Sequence, residues 1–171
     1  ASAYTTFANG GIRCAPLFVT KIEDSHGNVI AKFQPLMTEV ISEVSSYQMI
    51  DMLRAVIQGG TGSRLRYAYH LTADMGGKTG TTNNNADGWF MGITPNLVSG
   101  CWVGGEDRDI HFDHTSMGQG ATMALPIWAY YMQRVYADKR LGYSQSTKFT
   151  MPAKFNPCQT ADTINVNGIQ E

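Results

Sequence analysis

The stretch Asp74-Met75-Gly76-Gly77-Lys78-Thr79-Gly80-Thr81-Thr82 decides how the rest of this chain is read. Gly77-Lys78-Thr79 matches the end of a phosphate-binding loop. That loop also needs glycine at position 72, which is Thr, and a helix opening at the lysine. Lys78 is instead followed by Gly80, two threonines and Asn83-Asn84-Asn85, all poor helix formers. The better reading is an edge strand over 75–82 that lines a cleft. Such a strand presents Lys78 as a fixed positive charge, and Gly80 lets a ligand backbone come close. Threonine hydroxyls there can hold a carboxylate. Downstream, residues 88–94 and 97–104 are strand-like runs joined at Thr94-Pro95-Asn96, a hairpin signal.

Upstream of this segment lies the clearest helix. Ser45 and Gln48 have capping-box spacing, Ile50, Leu53, Val56 and Ile57 recur at helical intervals, and Gly59-Gly60 supplies a stop. Earlier still, residues 1–11 end in Ala8-Asn9-Gly10-Gly11, a helix end or turn. Short runs at 17–22 and 29–33 flank Asp24-Ser25-His26-Gly27-Asn28 as a second hairpin, and 35–41 reads as connector. On the far side, 105–120 is a polar loop ending in Gly118-Gln119-Gly120. Residues 124–136 read as a helix with Pro126 in its first turn and Ile127, Trp128, Tyr131 and Val135 on its apolar face. From about 138 onward periodicity is lost, which predicts an extended or loosely packed C-terminal tail. The domain division is therefore 1–137 and 138–171.

Composition narrows the class. With 171 residues, 43% of them hydrophobic, the chain can bury a core and is not a disordered polymer. Thirteen basic against fourteen acidic residues leave a net charge of −1, which supplies no field for a nucleic-acid backbone. No run approaches the roughly 20 apolar residues that cross a bilayer, since the best stretch, 123–132, contains Pro126 and stops short. The start, Ala1-Ser2-Ala3-Tyr4, carries no signal segment and no initiator Met. The expectation is a piece of a longer protein whose anchor lay elsewhere. Cys14, Cys101 and Cys158 are odd in number and far apart without a C-x-x-C, so zinc and other cofactors are not expected. Cys101, inside an apolar run, reads as a small hydrophobe.

Lys-Thr-Gly is one of three motifs of serine β-lactamases and penicillin-binding proteins. Its surroundings make the match specific. Gly77-Lys78-Thr79-Gly80-Thr81-Thr82-Asn83, then Asp87-Gly88-Trp89-Phe90-Met91-Gly92, then Leu97-Val98-Ser99-Gly100-Cys101-Trp102-Val103-Gly104-Gly105 closely resemble bifunctional (class A) penicillin-binding proteins. So do Phe7-Ala8-Asn9-Gly10-Gly11, Gly60-Thr61-Gly62 and Ala124-Leu125-Pro126-Ile127-Trp128, all in the family's order from about residue 3 to residue 136. The chain departs from the family at one decisive point. Such enzymes use a nucleophilic serine in Ser-x-x-Lys and a later Ser-x-Asn. None of the ten serines here has Lys at the third following position or Asn at the second. The expectation is the C-terminal portion of a transpeptidase domain, inactive alone.

The resemblance implies an α+β fold, an antiparallel sheet with helices packed on it. It implies a parent outside the cytoplasmic membrane, with a membrane anchor and a glycosyltransferase domain, that cross-links peptidoglycan stem peptides and is acylated by β-lactams. It also implies catalytic roles for Lys78, near the Ser-x-Asn serine, and for Thr81, whose amide would share the oxyanion hole. Thr79, Gly80 and Thr82 would bind substrate, with Thr79 and Thr81 on its carboxylate and Gly80 leaving room for an antiparallel peptide. The rivals are a catalytically silent binding module and a β-lactamase or β-lactam-sensor fragment. Trp89, Phe90 and Trp102 are expected in the core of the sheet and Asp87 in a structural hydrogen bond. His111 and His114 are expected to be loop residues, and His26 and His70 have no evident partner. Strand 97–104, central in the family, should here show an open edge. Self-association through it, or by exchange of an element, is expected.

Overall fold

The computed structural model describes residues 1–156. In chain order the elements are α1 (Ser2–Ala8), β1 (Ile12–Cys14), β2 (Lys21–Glu23), β3 (Val29–Lys32), β4 (Met37–Glu39), α2 (Glu43–Gln58), α3 (Arg64–Tyr67), β5 (Gly76–Thr81), β6 (Asp87–Thr94), β7 (Leu97–Gly104), α4 (Thr115–Gly118) and α5 (Gly120–Ala137). The central sheet is antiparallel, in the order β5-β6-β7. The Pro95-Asn96 turn joins β6 to β7 with Thr94 opposite Leu97, and the register runs unbroken to Asp87 opposite Gly104.

Both faces of this sheet are used. On one, α5 lies against β6 and β7 with Phe90, Leu125, Trp128 and Met132 buried together. Phe90 and Trp128 meet edge to face at 5.1 Å, and the Trp128 indole N–H donates to the Ser99 hydroxyl at 2.8 Å. A Cβ on Gly92 would stand 2.2 Å from the Trp128 ring, so only glycine lets α5 settle here. On the other face α1 and α2 cover one end of the sheet, where Tyr47, Ile50, Leu53 and Ile93 form a second cluster with Phe149. Residues 12–40 form a separate layer of two small antiparallel pairs, β1 with β4 and β2 with β3. The β2–β3 turn is organised by Asp24, whose carboxylate accepts the backbone N–H groups of His26 and Asn28.

Several expectations are corrected. The N-cap of α2 is Ser42, whose hydroxyl accepts the Ser45 N–H at 3.1 Å, so the helix opens before the Ser45 capping box. Residues 35–41 are not plain connector, because they contain β4. The second long helix begins at Gly120, which puts Pro126 in its interior rather than its first turn. Trp89 and Trp102 are not core residues: they face each other across β6 and β7 at 45% and 47% exposure, while Phe90 is fully buried. Cys101 is half-buried against the α5 core, and burial pushes its thiol pKa up.

The segment after α5 is irregular but not loosely packed over its described part. The Gln145 side-chain carbonyl accepts from the backbone N–H groups of Thr72 and Ala73 and from the Thr72 hydroxyl. Phe149 is buried, and its N–H donates to Asp74 Oδ2 at 3.0 Å. Cys158 and Pro157 lie outside the described residues. No helix among the described residues is long and apolar enough to cross a membrane.

Candidate functional site

Lys78, Thr79, Gly80 and Thr81 all lie on β5, the edge strand of the sheet, with Thr82 just past its end. The strand forms because both of its neighbours need it flat. A Cβ on Gly76 would come within 2.8 Å of Leu53 on α2, and one on Gly77 within 2.7 Å of the Phe90 ring. Its pairing parity follows from the Thr82 N–H, which donates to the Asp87 carbonyl at 3.1 Å. Alternation from that bond gives Gly80–Trp89 and Lys78–Met91 the paired ladder positions. It turns the backbone N–H and C=O of Gly77, Thr79 and Thr81 to the open side. Among the described residues no strand pairs there.

The side chains divide by face. Lys78 and Gly80 share a face with Met91, Trp89 and Trp102. Lys78 is exposed, and its Nζ donates to the Thr79 carbonyl at 2.7 Å, across the open edge. Thr79 and Thr81 point the other way. The Thr79 and Thr61 hydroxyls are 2.9 Å apart, so the Gly60-Thr61-Gly62 turn after α2 meets the strand. The Thr81 hydroxyl accepts the backbone N–H of Gly120, the first residue of α5, at 3.0 Å, and keeps its own proton to donate. Thr82 is held differently. Its hydroxyl donates to Asp87, and Asp87 also accepts the Trp102 indole N–H at 2.9 Å. Those two bonds hold the Asp87 carboxyl below its ordinary pKa. Asp87 is thus the structural residue that was expected.

The approach of Gly120 is the contact that sequence reading missed. A Cβ there would lie 2.3 Å from the Gly80 carbonyl oxygen and 2.4 Å from that of Trp89. The N-terminus of α5 therefore abuts the backbone of β5 and β6 directly. Also unread was the support beneath β5. Arg54 on α2 grips Asp74 through Nε at 2.8 Å and through a second guanidinium nitrogen. It also donates to the Tyr47 hydroxyl at 2.9 Å and stacks between the Tyr47 and Phe149 rings. Burial pushes the Asp74 carboxyl up, but the bonds from Arg54 and the Phe149 N–H outweigh it and hold the pKa below its ordinary value.

A cavity of about 440 Å³ lies elsewhere, between the end of α1, the start of α2, the β6–β7 turn and residues 147–152, and no β5 residue lines it. The β5 edge is an open surface whose geometry suits an extended ligand better than a compact one. His111 and His114 are exposed loop residues, and no cluster of metal-ligating side chains occurs among the described residues.

Residues 1–99 match the family model for the penicillin binding protein transpeptidase domain. This chain belongs to that family. The match includes α1, α2 and all of β5 and β6. Penicillin-binding protein 1A of Aquifex aeolicus is 40% identical over 134 residues, which is 78% of this chain and 18% of that protein. Its counterpart from Neisseria meningitidis is 37% identical over 149 residues, 82% of this chain and again 18% of the relative. The chain thus spans less than a fifth of these curated relatives. Among solved structures, penicillin-binding protein 1A from Haemophilus influenzae superposes with a TM-score of 0.69 at 26% identity, covering 81% of this chain and 26% of that one. The Mycobacterium tuberculosis protein PonA1 superposes at 0.67 with 25% identity, covering 88% and 39%. The mixed fold, an antiparallel sheet with helices packed on it, is the fold of these transpeptidase domains.

Proposed function

We propose that this chain is the C-terminal portion of a serine D,D-transpeptidase that cross-links peptidoglycan stem peptides on the outer side of the cytoplasmic membrane. In this reading it supplies the substrate-binding strand, and a segment outside residues 1–171 supplies the nucleophile. Residues 1–137 carry the transpeptidase part, and 138–171 form its C-terminal extension. The parent would also carry a glycosyltransferase domain and a membrane anchor.

The observation that carries the proposal is the free edge of β5. An acyl donor peptide lying antiparallel along it would pair with the outward groups of Thr79 and Thr81, as peptides add to exposed sheet edges elsewhere. To do so it displaces the Lys78 ammonium from the Thr79 carbonyl, freeing that charge for the reacting centre. The missing serine attacks the penultimate D-alanine carbonyl, and the Thr81 N–H is one donor to the oxyanion that forms. Terminal D-alanine then leaves, and a neighbouring strand's amine takes the acyl group. The Thr81 hydroxyl, anchored by the Gly120 N–H, donates its remaining proton to the substrate carboxylate, alongside Thr79. Gly80 keeps the strand surface low where the peptide crosses. Thr82, with its proton given to Asp87, can only accept from substrate. β-Lactams would acylate the same serine, so the isolated chain is inactive.

The test uses the complete transpeptidase. Lys78→Ala and Thr81→Val should each lower the rate of acylation by penicillin roughly a hundredfold, as loss of one anchoring or oxyanion contact does in comparable enzymes. Lys21→Ala, on the β2–β3 hairpin, should leave it unchanged. Equal rates in all three folded variants would remove the assignment.

A further inference from the structure

Thr79 and Thr81 present their hydroxyls on one face of β5, about 7 Å apart along the strand, a span that one carboxylate bridges with a short O–H···O⁻ bond at each end. Each hydroxyl has a single proton, so what stands behind it decides whether that proton is free for a ligand. For Thr81 the matter is settled by the Gly120 N–H, which can only donate. For Thr79 the group behind is another hydroxyl, that of Thr61 at 2.9 Å, and either oxygen can be the donor. If Thr79 donates, it turns its lone pairs toward an incoming carboxylate and repels it. If Thr61 donates, Thr79 keeps its proton for the ligand, and the two bonds in series polarise one another.

The turn that carries Thr61 is held in one position. A Cβ on Gly60 would lie 2.9 Å from Val56 Cα, and one on Gly62 would lie 2.7 Å from Ile57 Cδ1, so the glycines on either side of Thr61 press the turn onto the end of α2. The Gly62 N–H donates to the Val56 carbonyl at 3.0 Å and the Ser63 N–H to that of Gly60 at 3.1 Å. Ile57 and Leu65, before and after the turn, are fully buried. Thr61 itself is exposed, and among the described residues its hydroxyl has no other hydrogen-bond partner. Its branched Cβ restricts χ1, which keeps the hydroxyl on Thr79.

We propose that Thr61 is a positioning residue for carboxylate recognition: its hydroxyl donates to Thr79 and so commits the Thr79 proton to the carboxylate of the acyl donor or of a β-lactam. The inference rests on the transpeptidase reading above and deepens it. Thr61 acts through Thr79 as the Gly120 N–H acts through Thr81. Both threonines then meet the ligand as donors, which favours an anion over a neutral ester, because only the anion makes charge-assisted bonds to both.

The test compares acylation of the complete transpeptidase by benzylpenicillin and by its methyl ester, as second-order rate constants. Thr61→Val should slow the reaction with the free acid about five- to tenfold, as loss of one hydrogen bond at a binding group does, and leave the slower ester reaction unchanged. Thr61→Ser, which keeps the hydroxyl, should restore the rate with the acid. In a Thr79→Val background, Thr61→Val should have no further effect, because the group it acts through is gone. Equal slowing of acid and ester would make the turn a structural support only and overturn the inference. So would independent, multiplying losses in the double variant, which would place Thr61 on the ligand itself. A Thr61→Val variant as fast as the parent, with Lys78→Ala slowed, would overturn the inference and leave the transpeptidase reading standing. A Lys78→Ala variant as fast as the parent would remove that reading and the inference with it.

Discussion

Gly120→Ala offers a sharp test of how α5 seats the Lys78 strand. The added Cβ would lie 2.3 Å and 2.4 Å from two backbone carbonyl oxygens, those of Gly80 and Trp89, neither of which can rotate away. To reach ordinary 3.4 Å contact the helix start must withdraw by about 1 Å. That retreat stretches the 3.0 Å bond from the Gly120 N–H to the Thr81 hydroxyl beyond hydrogen-bond range. Overpacking of this kind costs about 1–3 kcal/mol and a lost hydrogen bond about 1 kcal/mol, against a helix-propensity gain of about 0.5 kcal/mol at a terminal position. The net loss is about 2–3 kcal/mol, and at roughly 2–4 °C per kcal/mol for a chain of this size Tm should fall by about 5–10 °C. Gly59→Ala is the matched control. A Cβ at Gly59 meets nothing within 4 Å and φ is −145°, so stability should change by no more than about 0.5 kcal/mol. Thermal and urea unfolding followed by circular dichroism would measure both. A Gly120→Ala variant as stable as Gly59→Ala would show that α5 does not abut the β5 and β6 backbones.

Two further outcomes follow from the support beneath β5. Because the folded Asp74 pKa lies below its unfolded value of 3.8, its stabilising contribution is complete above that value and is lost as pH falls through the folded one. Asp74→Asn should therefore be less stable than the parent chain at pH 7, with the difference closing below about pH 4 in urea titrations. A constant difference across that range would remove the charge from the account. Phe149→Ala should cost about 3 kcal/mol by emptying a buried ring site, and should speed tryptic cleavage after Lys148 and Lys154. Unchanged cleavage kinetics would show that residues 149–156 are not held by that ring.

What could be read in the sequence followed the range of the interactions that set it. β7 was legible to the residue, because an apolar alternation ends at Pro95-Asn96, a local turn that fixes the register on both sides. β5 was legible within a residue at either end. α2 was legible as a helix, yet its cap was not. Ser42 and Ser45 both suit the role, and only the chain's direction of entry makes Ser42 the acceptor and Ser45 the donor. The β1–β4 pair was invisible, because three-residue strands some 25 positions apart carry no usable period. Trp89 and Trp102 show another limit. Alternation assigns each to a face, but whether that face is covered depends on what packs there. Within the candidate site, Lys78 to Thr82 were legible from the motif. Thr61, Gly120 and the Arg54–Asp74 grip were not legible as partners, because each meets the strand or its flank through a contact distant in sequence.

In the function proposed above, this chain holds the substrate strand of an acyltransferase whose nucleophile lies outside residues 1–171. Fluorescent penicillin tests it directly, applied in parallel to the 171-residue chain and to the complete transpeptidase, with the labelled peptide identified by mass spectrometry. No covalent label is expected on the chain alone, and on the complete protein a label is expected at a serine outside these residues, formed more slowly in Lys78→Ala. A stable acyl adduct on any of the ten serines here would contradict it.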